Sequence, residues 1–360
     1  MKIAQLCLSP ALGGLELFAL RFATWLQGEG VETLFIAAPD SRLHRLAVSE
    51  GLEVQPVPRP RSPLPWRAAA RLRRWLQHQG VTHLHAHWKD DLPLAALARR
   101  GALFRLVFSR QMELPGAKHD PYHRLIYRSI DRYHVITERL ARQARARLPI
   151  PEERIQVIHP GVPPWEGEPF PLRGRLGIGE GAFLAGIVGR IAPPKGQHLL
   201  IEAVARLVQA GRDVHLLVMG HPMAPDDLPR LQAQVALLGI RSRVHFLDFH
   251  PQPQGIMAAL DCLVLASREE TFGLVLPEAM RAGTAVIGTD AGGVPEIIDH
   301  RRTGLLVPPE DVGALAGALA ELMDAPDLRT RLARAGQRAA GRRFDRDTRF
   351  RALLALLRRA

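Results

Sequence analysis

Two glutamates eight residues apart, Glu270 and Glu278, stand in the run Ser267-Arg268-Glu269-Glu270-Thr271-Phe272-Gly273-Leu274-Val275-Leu276-Pro277-Glu278-Ala279-Met280. The run follows an apolar, strand-like stretch at 262–266 and leads into a helix-like stretch that closes near Gly283. Proline is tolerated only in a first helical turn, so Pro277 predicts a helix start near Thr271–Gly273. The amides of Phe272, Gly273 and Leu274 would then point outward at a helix N-terminus, where backbone donors and the helix dipole favour a phosphate. Carboxylates beside an anion are poor phosphate ligands but good acceptors for sugar and ribose hydroxyls. From spacing alone, Glu269, Glu270 and Glu278 fit a solvated surface equally well.

A second constellation lies in Gly186-Ile187-Val188-Gly189-Arg190-Ile191-Ala192-Pro193-Pro194-Lys195-Gly196. Arg190 and Lys195 bracket a loop after a strand-like run, and two cations there suit a diphosphate whose charge grows as it leaves. A structural ion pair is the plainer alternative. A third patch, Gly13-Gly14 with Glu16, follows the first strand-like run and lets backbone approach a ligand, although a tight turn would read the same. It does not make a dinucleotide G-x-G-x-x-G, and no acidic residue ends the second strand in the usual way, which argues against a dehydrogenase. Ser/His/Asp nucleophile patterns and Cys/His metal spacings are absent from the sequence. Asp345-Arg346-Asp347 has the form D-x-D but opens a basic helix, so no metal site is expected there.

Positioning these loops requires strands alternating with helices. Strand-like runs near 3–8, 33–37, 82–86, 103–108, 133–137 and 155–158 are separated by helix-like runs, and a second series follows at 184–188, 214–218, 244–247, 262–266 and 285–288. Such alternation predicts α/β units with parallel sheets, which bind ligands beyond the carboxyl ends of their strands. The breaker-rich stretch His159-Pro160-Gly161-Val162-Pro163-Pro164 marks a boundary. Two doubly wound Rossmann-like domains are therefore expected, at 1–162 and 163–345, with a final helix over 346–360. A length of 360 residues fits two domains of ~150 residues each. No stretch approaches the ~18 apolar residues of a membrane helix, and the first ten residues read as a strand rather than a leader. Cys7 and Cys262 sit in apolar runs and are expected to be buried free thiols.

At this point the residues resemble a known family. Glu270 to Glu278 match the E-x7-E pattern of retaining nucleotide-sugar glycosyltransferases. Ala282-Gly283-Thr284-Ala285-Val286-Ile287-Gly288-Thr289-Asp290-Ala291-Gly292-Gly293-Val294-Pro295-Glu296-Ile297-Ile298, Thr303 to Pro309, Gly189-Arg190 with Lys195-Gly196, and Gly13-Gly14 with Glu16 are similar to glycosyltransferase family 4, strongly from about 184 to 320 and weakly in the N-terminal half. The resemblance implies a GT-B fold, with nucleotide sugar held mainly by the second domain, acceptor by the first, and the last helix crossing back to the first. It implies that Arg190 and Lys195 bind the diphosphate and that Glu270 holds donor-sugar hydroxyls. Thr271 and the Phe272–Leu274 amides would contact sugar or phosphate, Glu278 the ribose, and Gly14 the β-phosphate and sugar. Many relatives carry a histidine after the strand near 103–108, whereas this chain reads Phe108-Ser109-Arg110-Gln111-Met112. Arg110 or Gln111 could take that role, or His85 or His87 from the neighbouring strand end, and Glu16 is a further acceptor-side candidate.

Charge adds a partner class. The net charge of +12 divides into +10 over 1–160, −7 over 161–328 and +9 over 329–360. The Arg59–Gln77 and Lys118–Tyr133 stretches mix arginines with Trp66, Trp75, Tyr122 and Tyr127, a pattern that suits an anionic membrane surface or simply an amphipathic domain helix. Charge and resemblance together lead to an expected retaining, metal-independent transferase that needs no cofactor. It would use a UDP- or GDP-sugar and a lipopolysaccharide-core or other cell-envelope glycan or glycolipid acceptor. A cytoplasmic location, peripheral on the inner membrane face, follows from the same reasoning. Alternatives are a soluble transferase for a small glycoside or exopolysaccharide unit, a nucleotide-sugar epimerase, and a nucleic-acid binder; nucleic acid is not the expected partner.

Overall fold

A computed structural model describes residues 1–248, 250 and 252–360. The chain divides into two compact units, Met1–His159 with Thr348–Ala360, and Pro160–Asp347.

The first unit runs β1 (Lys2–Cys7), α1 (Gly14–Gly28), β2 (Glu32–Ala37), α2 (Arg42–Ser49), β3 (Glu53–Pro56), α3 (Trp66–His78), β4 (His83–Ala86), α4 (Leu92–Arg99), β5 (Arg105–Arg110), α5 (Pro121–Tyr127), β6 (Arg132–Val135), α6 (Glu138–Arg147) and β7 (Ile155–Val157). Its sheet is parallel, in the order β3-β2-β1-β4-β5-β6-β7. The second unit contains α7 (Leu172–Leu176), β8 (Phe183–Val188), α8 (Gln197–Gln209), β9 (Val214–Met219), α9 (Asp227–Leu237), β10 (Val244–Leu247), α10 (Pro253–Ala258), β11 (Cys262–Leu265), α11 (Val275–Arg281), β12 (Ala285–Thr289), β13 (Leu305–Val307), α12 (Val312–Asp324) and α13 (Pro326–Arg343). Its sheet, also parallel, has the order β10-β9-β8-β11-β12-β13. Both sheets are doubly wound, with the order reversing beside the first strand of each unit. Helices on both faces explain why β1, β8, β9 and β11 are buried almost throughout instead of alternating. The short strands β3 and β13 lie at sheet edges and were not evident in the sequence.

The unit boundary falls inside α14 (Arg346–Arg358). Phe350, Leu353, Leu354 and Leu357 are buried against Ile3, Phe18, Phe22 and Leu26 of the first unit, while Arg351 and Arg358 stay exposed. The Phe350 ring lies 5.1 Å from Phe22 and 5.8 Å from Phe18, centre to centre. The tail therefore completes the first unit's core. In the second unit, Leu216, Val218, Val264 and Ile287 pack against Leu200 and Val204 of α8 and Leu315 and Leu319 of α12. Cys7 and Cys262 are buried free thiols. Among the described residues no helix is long and apolar enough to cross a membrane.

Candidate functional site

In the second unit the carboxyl ends of β8, β11 and β12, three adjacent strands, carry most of the residues singled out in the sequence. Lys195 lies in the turn Pro193–Lys195 after β8, and Glu270 in the loop after β11. Their side chains meet, with Lys195 Nζ 2.5 Å from Glu270 Oε2 and about a fifth to a quarter of each exposed. Ser267 Oγ donates to the same carboxylate oxygen at 3.3 Å. The Arg268 amide donates to Pro194 O at 3.0 Å, stitching the two loops together. Arg190, after β8, is exposed; its carbonyl accepts a 2.9 Å hydrogen bond from buried Gln197 at the start of α8.

The helix expected to begin near Thr271–Gly273 begins at Val275 instead. Gly273 has φ +95°, which a helix does not accept, so Thr271–Leu274 form a turn that precedes the helix. Pro277 is the third helical residue, where no intrahelical partner for an N–H exists. Phe272 is buried, with its ring 5.6 Å from Phe344. Thr271, Leu274 and Glu278 are half-buried, and Glu278 sits in the first turn of α11, beyond the segment that holds Glu270. The structure thus brings Lys195 and Glu270 into contact, with Arg190 on the loop after β8, the 271–274 turn on the loop after β11 and Glu278 in the first turn of α11. Among the described residues no group of three His, Cys, Asp or Glu side chains is arranged to hold a metal ion.

In the first unit Gly14 is exposed at the start of α1, and the buried Glu16 carboxylate, in the first turn of that helix, accepts the Gly13 amide at 2.8 Å. The histidines at the end of β4 lie in the interior. His134 Nε2 donates to Ile158 O at 2.8 Å, so its Nδ1 accepts from Ser109 Oγ at 2.7 Å, and Ser109 accepts in turn from His85 Nε2 at 2.6 Å. His87 Nε2 bonds Gln5 Oε1 at 2.7 Å, and the His85 and His87 rings are 4.1 Å apart. Burial holds all three imidazoles neutral, with His87 lowered to about 3, His134 to about 4, and His85 well below its usual range. Arg110 ends β5 with its guanidinium turned onto Met112 O (2.6 Å) and Glu113 O (2.5 Å), while Gln111 is half-buried beside it. Asp91, which no sequence pattern singles out, is buried. Its Oδ2 accepts the Leu8 amide at 2.7 Å, and burial raises the carboxyl to about 8. Asp91 and Glu16 therefore secure the two ends of the Ser9–Gly13 loop, one through Leu8 and the other through Gly13.

The surface of α3 and of the segment leading into it is markedly one-signed. Arg59, Arg61, Arg67, Arg71 and Arg74 are exposed, and residues 57–80 contain no acidic side chain. Trp66 is half exposed under the Arg100 guanidinium, 6.0 Å from its ring.

Two family patterns cover most of the chain: "Glycosyltransferase Family 4" over residues 12–166 and "Glycosyl transferases group 1" over 171–339. The chain is similar to D-inositol 3-phosphate glycosyltransferase of Corynebacterium efficiens, with 35% identity over 192 residues, 50% of this chain and 45% of that protein. The matched part is thus about half of that relative's length. The protein of the same description from Nocardia farcinica is 29% identical over 369 residues, 91% of this chain and 80% of that one. Among solved structures, Anabaena HepE in complex with UDP-glucose superposes with a TM-score of 0.85 at 25% identity, over the whole of both chains. The GT-B fold is the one expected. With one pattern on each unit, the chain belongs to the family 4 glycosyltransferases.

Proposed function

We propose that the protein is a retaining, metal-independent glycosyltransferase that moves a sugar from a nucleoside-diphosphate donor to an anionic or membrane-presented glycan, the lipopolysaccharide core first among these. The observation that carries the reading is the meeting of Lys195 with Glu270 at the carboxyl ends of neighbouring strands. A cation and a carboxylate in contact match a donor whose diphosphate needs positive charge and whose sugar offers hydroxyl donors. The complex of Anabaena HepE with UDP-glucose supports a UDP-sugar. On this reading Lys195 and Arg190 meet the charge that builds on the departing diphosphate, Glu270 accepts hydrogen bonds from sugar hydroxyls, and Glu278 accepts from the ribose. Thr271 and the Phe272–Leu274 backbone line the sugar-phosphate junction.

Retention follows from front-face attack. The acceptor oxygen bonds the anomeric carbon as the bond to the phosphate oxygen breaks, and that phosphate oxygen takes the acceptor's proton. Arg110, Gln111, Glu16 and His87 remain acceptor-side candidates. Of these, Arg110 and Gln111 stand at the end of β5, whereas His87 and Glu16 act through the backbone and side chains they hold. The basic surface of α3, with Trp66, supports an acceptor carried on an anionic membrane and a peripheral position there. A soluble acceptor is the second reading, favoured by relatives named for an inositol phosphate.

Calorimetric titration with UDP, GDP and ADP tests the donor site. One nucleotide should bind, and Lys195→Ala should weaken it at least tenfold. Binding of none, or equal binding by the variant, would overturn the reading.

A further inference from the structure

The loop after β12 contributes nothing to the donor site described above, yet its backbone packs directly against the backbone of Glu270. The Gly293 amide donates to Glu270 O at 2.8 Å. Gly292 adopts φ +64°, and a Cβ on it would stand 2.0 Å from Glu270 O and 2.8 Å from Glu270 N. Thr289, buried at the end of β12, donates its hydroxyl to Ser267 O at 2.7 Å. Ser267 in turn reaches the Glu270 carboxylate. The segment that carries Glu270 is therefore held at both ends by one neighbouring loop, through Thr289 at Ser267 and through Gly292 and Gly293 at Glu270. On its other side, Pro194 O takes the Arg268 amide. Only backbone without a Cβ fits against Glu270 at this distance, and a hydroxyl at 289 supplies the remaining hydrogen bond.

We propose that Thr289, Gly292 and Gly293 are positioning residues that set the height and direction of the Glu270 carboxylate, and with it the Lys195 contact. The proposal rests on the donor-site reading for its effect on binding, but not for its effect on the loop. Thr289→Val keeps the shape and removes the donor, whereas Thr289→Ser keeps the donor. The probe is whichever of UDP, GDP and ADP the unsubstituted protein binds. Loss of the hydrogen bond should let Glu270 drift from Lys195, free the lysine for phosphate, and tighten nucleotide binding about threefold. Thr289→Ser should restore the original affinity. In the double variant Thr289→Val/Glu270→Gln, binding should be no tighter than in Glu270→Gln alone, since both changes act on one contact. An unchanged affinity in Thr289→Val, or additive effects in the double variant, would overturn the proposal.

If no nucleotide binds, the donor-site reading fails, and amide exchange of the unliganded protein decides the positioning claim by itself. The Arg268 and Gly293 amides should then exchange about fivefold faster in Thr289→Val and recover in Thr289→Ser. Unchanged exchange would overturn the claim.

Discussion

Replacing Glu270 with glutamine should make UDP bind more tightly while transfer collapses. Lys195 is engaged by the Glu270 carboxylate at 2.5 Å, so a diphosphate that binds the lysine takes it from a paired anion and then lies beside that anion. With 24% and 19% of the two side chains exposed, the pair falls between solvent-exposed pairs worth under about 1 kcal/mol and buried ones that cost about 3–5 kcal/mol to break. A value of about 1–2 kcal/mol converts to UDP binding roughly 5- to 30-fold tighter in Glu270→Gln. The nucleotide sugar should gain less, because its hydroxyls lose a charged acceptor, and turnover should fall about a hundredfold or more. Titration calorimetry of UDP into both proteins at low and high salt measures the first effect, and raised salt should narrow the difference. Unchanged or weaker UDP binding in Glu270→Gln would show that the pair does not compete with phosphate.

Three further outcomes concern the first unit, which holds four of the five tryptophans, Trp25, Trp66, Trp75 and Trp88, so that intrinsic fluorescence in a urea titration follows it. Phe350→Ala should cost about 3–5 kcal/mol by removing a ring packed on Phe18 and Phe22; a loss under 1 kcal/mol would mean that α14 contributes little. Acid should destabilise this unit, since His87 and His134 stay neutral to about pH 3 and about pH 4 when folded but protonate below about 6.5 when unfolded, a loss of about 2 kcal/mol each by pH 5. Asp91 works the other way. Its folded value of about 8 lies above the unfolded one, so its contribution is full at low pH and fades as pH rises to 8. Asp91→Asn should therefore steepen the loss of stability between pH 7 and pH 5, and parallel profiles for the two proteins would refute the assignment.

What the sequence revealed was local. The E-x7-E run, the Arg190–Lys195 loop and most strands of both sheets could be read because each is a contiguous pattern. The edge strands could not: Glu53–Pro56 has half-exposed polar positions, and Leu305–Val307 is too short to show a period. The start of α11 was misplaced because Gly273 carries no sign of its positive φ in the sequence. Contacts between loops were also hidden. Lys195 and Glu270 stood in separate patches 75 residues apart, and nothing in either declared that they touch. The same holds for Thr289 with Ser267 and for the His85–Ser109–His134 chain, whose members come from three different strands. Register within a parallel sheet assembles such groups, and no spacing rule announces them.

The return of α14 to the first unit has a consequence for synthesis. On the ribosome, residues 1–159 emerge well before their last helix, separated from it by the whole of Pro160–Asp347. At roughly 5–20 residues per second, the nascent first unit waits on the order of 10–40 s with Phe18, Phe22 and Trp25 uncovered. During that interval its aromatic face is open to chaperones or to another nascent chain, and the second unit can complete its fold first. A stop codon or proteolytic cut just before residue 348 would leave that second unit whole while stripping the first of the helix that closes its core.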